Sequence, residues 1–106
     1  MQTIQTIQEL QNKVSNILQD EVLLDVRTEA EFQQGHIAGS INFDISNPNI
    51  IQEIVNLDHS KIYIVYCRSG GRSKLASIIM QQKGLKVINS SVGIMHWSKA
   101  GLELIK

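Results

Sequence analysis

The stretch KIYIVYCRSGGRSKLASIIMQQKG, from Lys61 to Gly84, constrains the fold more than any other part of the chain. Lys61 to Tyr66 is dominated by β-branched and aromatic residues and reads as a buried strand. It passes at once into CRSGGR. Ser73 to Lys83 then carries Leu75, Ala76, Ile78 and Ile79 on the apolar side of a helix that Gly84 closes. A strand feeding a helix through a short loop implies a crossover connection, and hence a parallel sheet with helices packed on its faces.

The rest of the chain repeats this alternation. Ile4, Ile7, Leu10, Val14, Ile17 and Leu18 recur at spacings of three and four among Gln, Asn and Ser, which predicts an amphipathic helix over 3–19. Residues 22–26 (VLLDV) predict a buried strand. Thr28 and Glu31 form a capping box for a short helix over 29–34, stopped by Gly35. Gly39 to Phe43 predicts a shorter strand. Asn47-Pro48 reads as a helix start with Pro in the first helical position, followed by Ile50, Ile51, Ile54, Val55 and Leu57. Lys86 to Asn89 predicts a strand, and Gly93 to Lys99 a brief last helix containing Trp97. The expected architecture is a doubly wound α/β domain with helices on both faces of the sheet. At 106 residues, without repeats or linkers, the chain is expected to form a single domain spanning 1–106.

Ten Lys plus Arg balance ten Asp plus Glu. Zero net charge argues against nucleic acid as a partner, since phosphate binding needs a concentrated positive field. No apolar run approaches the ~20 residues of a membrane span. The N-terminal MQTIQTIQEL has neither the charged nor the apolar region of a signal peptide. One cysteine cannot form an internal disulfide, which suits a reducing compartment. A cytoplasmic monomer is therefore expected.

In sheets of this kind, sites lie beyond the carboxyl ends of strands. The loop at 67–72 holds the only cysteine, Cys67, two of the three arginines (Arg68, Arg72) and two of the seven glycines (Gly70, Gly71), with Ser69 between. A cysteine at a strand end before a helix faces N–H groups that have no intrahelical partner. The helix dipole adds about half a positive charge, worth about 2 kcal/mol toward a thiolate at ~4 Å and an effective dielectric of ~20. That equals about 1.5 pK units, enough to bring an ordinary cysteine to about half thiolate at neutral pH. Glycines let backbone wrap a sulfur or oxyanion, and the arginine forks match an anionic substrate. A lone cysteine is more often a small buried hydrophobe. The company of two Arg and two Gly after a strong strand favours a nucleophile instead.

These residues resemble the rhodanese family of single-domain sulfurtransferases. LLDVRTEAEFQQGHIAGSINF (23–43) resembles the family's first signature, YCRSGGRS (66–73) its active-site loop, and GIMHWSKAGLEL (93–104) its closing segment. The likeness covers about 20–104. It implies a five-stranded, mainly parallel sheet and a cysteine that accepts a sulfane sulfur. Cys67 would form the persulfide, and Arg68, Ser69, Gly70, Gly71 and Arg72 would line the cradle, with either arginine orienting the donor. The donor would be thiosulfate or a similar sulfur-containing anion, and the acceptor cyanide or a thiol. A protein sulfur donor or acceptor is also compatible, and no cofactor is implied. Val92-Gly93 stands where relatives often have two glycines, in a loop that borders the site.

Other residues favour quieter roles. Asp25, Arg27 and Glu31 are expected to support the structure, Arg27 pairing with Glu31 across the short helix. His36 suits packing and hydrogen bonding and His59 solvent; for His96, beside Trp97 on the last helix, bordering the pocket is the minority reading, and Trp97 suits the core. No His or Cys cluster has metal-ligand spacing, so no metal is expected. Rival readings are a Cys-based phosphatase or arsenate reductase, and an interaction module or persulfide carrier in a relay. The tyrosine-phosphatase type places one more residue between its Cys and Arg than separates Cys67 from Arg72, so this loop is tighter and better suited to a single sulfur.

Overall fold

The computed structural model describes residues 1–106. Five strands, β1 (Gln2–Ile4), β2 (Glu21–Asp25), β3 (Ile41–Asn42), β4 (Ile62–Tyr66) and β5 (Lys86–Ser90), form one sheet in the order β1-β5-β4-β2-β3. Every pairing is parallel. The connecting helices are α1 (Ile7–Ser15), α2 (Glu29–Gln34), α3 (Ile50–Val55) and α4 (Gly71–Gln82), and α5 (Ile94–Lys99) follows β5.

Side chains alternate across a strand, so β4 supplies two cores at once. Ile64 and Tyr66 join Ile4, Leu10, Leu23, Ile88 and Trp97 on the face covered by α1 and α5. Tyr63, Val65 and Cys67 join Leu24, Ile54, Ala76 and Met80 under α3 and α4. The chain runs from β2 outward to β3, then returns to place β4 on the other side of β2. Strand order therefore reverses between β2 and β4, and the crevice beyond their carboxyl ends is where such sheets hold ligands.

Several expected boundaries move: the strand predicted over 39–43 shortens to β3, others shift by a residue, and three changes have a clear local cause. The helix predicted over 3–19 shortens to α1, and its first residues form edge strand β1 instead. Thr6 and Glu9 make a capping box that starts the helix after residue 6, freeing Ile4 to pair with β5 and fill the core. Ile17 and Leu18 lie beyond the helix at 39% and 58% exposure. Pro48 is not the first helical residue. Asn47 Oδ1 accepts from the Asn49 N–H at 2.9 Å, making a turn around the proline before α3 begins at Ile50. Finally, α4 starts two residues earlier than Ser73, with Gly70 as its N-cap. No helix is long and apolar enough to cross a membrane.

Candidate active site

Cys67 follows β4 directly and is buried. Gly70 closes the turn after it at φ +110°, a left-handed conformation open to glycine at little cost. A Cβ there would also come within 2.7 Å of the Ser91 carbonyl oxygen. This turn brings the Gly70 N–H to 3.1 Å from Cys67 Sγ. The N–H groups of Arg68, Ser69, Gly71, Arg72 and Ser73 find no backbone carbonyl acceptor. The loop carbonyls are spent elsewhere: Cys67 O accepts from Ile94 N–H at 3.0 Å, Arg68 O from Met95 N–H at 3.2 Å, and Gly70 O from Lys74 N–H at 3.1 Å.

Burial pushes the Cys67 thiol up. The neighbouring Ser73 hydroxyl and the N–H groups of Ser73, Gly70 and Ser69, of which Gly70's is in hydrogen-bond contact with the sulfur, outweigh it and bring the thiol below its ordinary value. Ser73, buried in the first turn of α4, lies 3.1 Å from both Gly70 O and Ser90 O through its hydroxyl. The chemistry of such an arrangement is that of a stabilised thiolate with donors left over for a second anionic atom.

The two expected arginines differ. Arg68 is exposed, makes no ion pair, and lines a cleft of about 440 Å³ with Arg27, Glu31, Gln34, Met95, Lys99 and neighbouring residues. Arg72 instead forks onto Glu31, Nη1 to Oε1 at 2.6 Å and Nη2 to Oε2 at 2.9 Å. The Arg72 bond, with the Thr28 N–H and hydroxyl, holds the Glu31 carboxyl down to about 2 despite partial burial.

The expected pairing of Arg27 with Glu31 is corrected. Arg27 turns inward onto Asp25, with Nε to Oδ1 at 2.9 Å and Nη2 to Oδ2 at 2.7 Å, and donates to Gly35 O at 2.7 Å. Glu31 is unavailable to it because the same carboxylate caps α2 through Thr28 and receives Arg72. Asp25 and Arg27 are 0% and 4% exposed, so this is a buried ion pair at the end of β2. Burial opposes the Arg27 charge and Asp25 more than restores it, raising its pKa. Beside the pair, burial and the Asp25 charge push the Tyr66 phenol up. Its hydroxyl accepts from Ile37 N–H at 3.2 Å and donates to Ser40 at 3.0 Å.

Ser69 is exposed and offers the loop only its backbone, and Gly71 opens α4 with space around it. His36 stacks on Phe32 with ring centroids 3.7 Å apart and bonds Phe32 O through Nδ1 at 2.8 Å, a packing role. His59 is exposed, and Trp97 is in the core with Nε1 donating to Glu103 O at 3.0 Å. Val92, at 9% exposure, fills the core with Ile4, Leu10 and Trp97, so the departure from a double glycine adds an apolar contact. No group of three or more His, Cys, Asp or Glu converges on a metal position.

Reading the sequence alone missed Ser73, Lys99 and the backbone role of Gly93. A Cβ at Gly93 would overlap the Cys67 carbonyl oxygen, so only glycine lets α5 meet the loop. Its place at the head of GIMHW, in the Val92-Gly93 loop, is the signal that could have marked it.

Fold and site together define a parallel α/β domain with a cysteine held among backbone N–H groups at a strand end. The Rhodanese-like domain profile matches residues 6–100, and the chain belongs to that family. It is 33% identical over 88 residues, covering 82% of this chain and 80% of the relative, to a protein of Allochromatium vinosum named "Sulfurtransferase". It is 36% identical over 90 residues to the Arabidopsis thaliana protein named "Thiosulfate sulfurtransferase 16, chloroplastic", covering 74% and 75% of the two chains. A rhodanese-related protein from Thermoplasma volcanium superposes with a TM-score of 0.82 at 30% identity, over 99% of this chain and 98% of that one.

Proposed function

We propose that this chain is a sulfurtransferase that carries sulfane sulfur as a Cys67 persulfide. The observation that carries the proposal is the Cys67 sulfur at 3.1 Å from the Gly70 N–H, within a loop whose other N–H groups have no backbone acceptor. The names of the two relatives, both sulfurtransferases, support the same chemistry.

In the forward step the Cys67 thiolate attacks the outer sulfur of thiosulfate or another sulfane donor. A new S–S bond forms to Cys67, and the donor's S–S bond breaks with its electron pair leaving on sulfite or the reduced donor. The loop N–H groups stabilise the anionic terminal sulfur of the persulfide. In the second step cyanide or a thiol attacks that terminal sulfur, and the electron pair of the Cys67 S–S bond returns to the cysteine thiolate. Two half-reactions through one covalent intermediate give ping-pong kinetics. Arg68, with no carboxylate partner, is the side chain positioned to draw an anionic donor to the loop. Arg72 acts by holding the loop to α2.

A second reading, a persulfide carrier fed by a larger donor, draws on the cleft beside Arg68. Its size falls within the range of about 300–1,000 Å³ typical of sites for organic ligands, well above what cyanide needs. The phosphatase reading loses its arginine, since the Arg72 fork is closed on Glu31.

The test is an intact-mass spectrum of the reduced protein after brief exposure to thiosulfate, repeated on Cys67→Ser. One added sulfur atom, removed by cyanide and absent from the variant, is the expected result. Sulfur uptake by folded Cys67→Ser would overturn the assignment. No uptake from thiosulfate but uptake from an organic persulfide would leave the carrier reading in its place.

A further inference from the structure

The loop's polarity is set from outside it. The Cys67 carbonyl and the Arg68 N–H belong to one trans peptide plane and point in opposite directions, as do the Arg68 carbonyl and the Ser69 N–H. Ile94 and Met95 bind these two carbonyls at 3.0 and 3.2 Å. Holding the carbonyls toward α5 turns the Arg68 and Ser69 N–H groups away from α5, and the Ser69 N–H is one of the donors that lower the Cys67 thiol. The first turn of α5 thus orients the entry to the loop and with it one of the donors that make the cysteine acidic.

That first turn has its own anchor. The Gly93 N–H, which has no backbone acceptor, donates to His96 Nδ1 at 3.1 Å, and the Gly93 carbonyl accepts from Trp97 N–H at 2.9 Å. An Nδ1 that accepts must carry no proton, so the imidazole is the neutral tautomer protonated on Nε2. His96 sits three residues past the N-cap, where Glu or Gln usually makes this reciprocal bond. With Gly93 so fixed, Ile94 and Met95 are held in register with the loop carbonyls.

We infer that His96 is a positioning residue for Cys67: its Nδ1 fixes the Gly93 turn, and through Ile94 and Met95 it holds the first two peptides of the loop so that the Ser69 N–H faces the sulfur. The inference rests on Cys67 being the reactive nucleophile. It concerns the acidity of the thiol and not the identity of the sulfur donor.

The test uses the full chain and its single cysteine. Alkylation of Cys67 by iodoacetamide, followed by intact mass across a pH series, reads the thiol titration in wild type, His96→Ala, His96→Leu and His96→Gln. His96→Leu keeps bulk without an acceptor, and His96→Gln supplies the side-chain oxygen usual at this position. The Ala and Leu variants are expected to shift the profile to higher pH and to react about three- to tenfold more slowly at neutral pH, a loss of about 0.5–1 pK unit. His96→Gln is expected to restore most of the rate. A helix cap with no tie to the cysteine would lower the melting temperature and leave the profile in place, and that outcome in folded Ala or Leu variants overturns the inference. So does a folded His96→Gln that reacts as slowly as the other two. If neither Ala nor Leu folds, by Trp97 fluorescence and circular dichroism, His96→Gln decides alone: a wild-type profile sustains the inference and a displaced one ends it. A wild-type protein that alkylates as a thiolate yet never takes up sulfur counts against the sulfurtransferase reading and leaves this inference standing.

Discussion

Glu31 and Arg72, 41 residues apart in sequence, close a two-bond fork at 2.6 and 2.9 Å. One residue lies on the helix after β2 and the other in the first turn of the helix after β4. The fork therefore bridges the two strand ends between which the sheet reverses its order. It joins the first sequence signature to the cysteine loop, which also meet through strand pairing, the Val26 N–H to Tyr66 O bond at 3.1 Å and the bonds of the Tyr66 hydroxyl to Ile37 and Ser40.

The pH dependence of this pair follows from the depressed Glu31 carboxyl. Its folded value of about 2 lies below the ordinary 4.5. A depressed acid stabilises the fold fully above its unfolded value and loses that contribution as pH falls through the folded one. Glu31→Gln is therefore expected to lower stability near neutrality by about 1 kcal/mol, the pair being partly exposed. The gap to wild type should narrow between pH 4.5 and about 2. Melting temperatures of both proteins across that range check this, and a gap that widens in acid contradicts it.

Arg68 and Lys99 both line the cleft and neither makes an ion pair. Arg68→Ala is expected to raise the KM for thiosulfate several-fold, with a smaller change in kcat. The wild-type KM should itself rise with ionic strength, because exposed charges are screened over about 8–10 Å at ordinary salt. Steady-state kinetics at two salt concentrations separates this from a loss of chemistry, in which kcat falls and KM stays.

Gly93 touches the Cys67 backbone where any side chain would collide. Gly93→Ala must push α5 off the loop, at a cost of about 1–3 kcal/mol or more, and sulfur loading should fall with it. Gly71 has open space about its Cβ position, and Gly71→Ala should leave stability equal or raise it by up to ~1 kcal/mol. Chemical denaturation of the two variants side by side tests the contrast. Equal losses in both would mean that helix flexibility, not the close approach, is what these glycines provide.

The Asp25–Arg27 pair is buried on both sides. Asp25→Ala strands a guanidinium in the interior and is expected to cost about 3–5 kcal/mol. Replacing both residues should cost less than the sum of the single changes, since the uncompensated charge disappears. A double-mutant cycle in urea measures the coupling, and additive losses would show the pair to be independent.

Much of this protein was legible one residue at a time. The capping box at Thr28 and Glu31 gave α2 its limits, the run of β-branched and aromatic residues in KIYIVY gave β4, and the concentration of Cys, Arg and Gly in CRSGGR marked the loop. These signals are local: a cap, a short β-branched run and a turn act over a few residues, so order along the chain is enough to read them. The N-terminal ambiguity was of another kind. Ile4 fits a helical spacing and a strand equally, and it became a strand because β5 offered an open edge that no local pattern records.

The partners of the charged residues were decided only by the tertiary structure. Arg27 had Asp25 two positions away and Glu31 four, both within reach, and burial at the end of β2 selected Asp25. Glu31 was then left for Arg72, brought to it by the parallel pairing of β2 with β4. The polarity of the cysteine loop came from Ile94 and Met95, which return from the far end of the chain to take its carbonyls, with Gly93 allowing the close approach. The sequence by itself determined that a strand, a cysteine and a glycine turn follow in order, because backbone sterics and side-chain periodicity are short-range. Which way the peptides of that turn face depended on which donors packed against them, and only the closed fold supplies those.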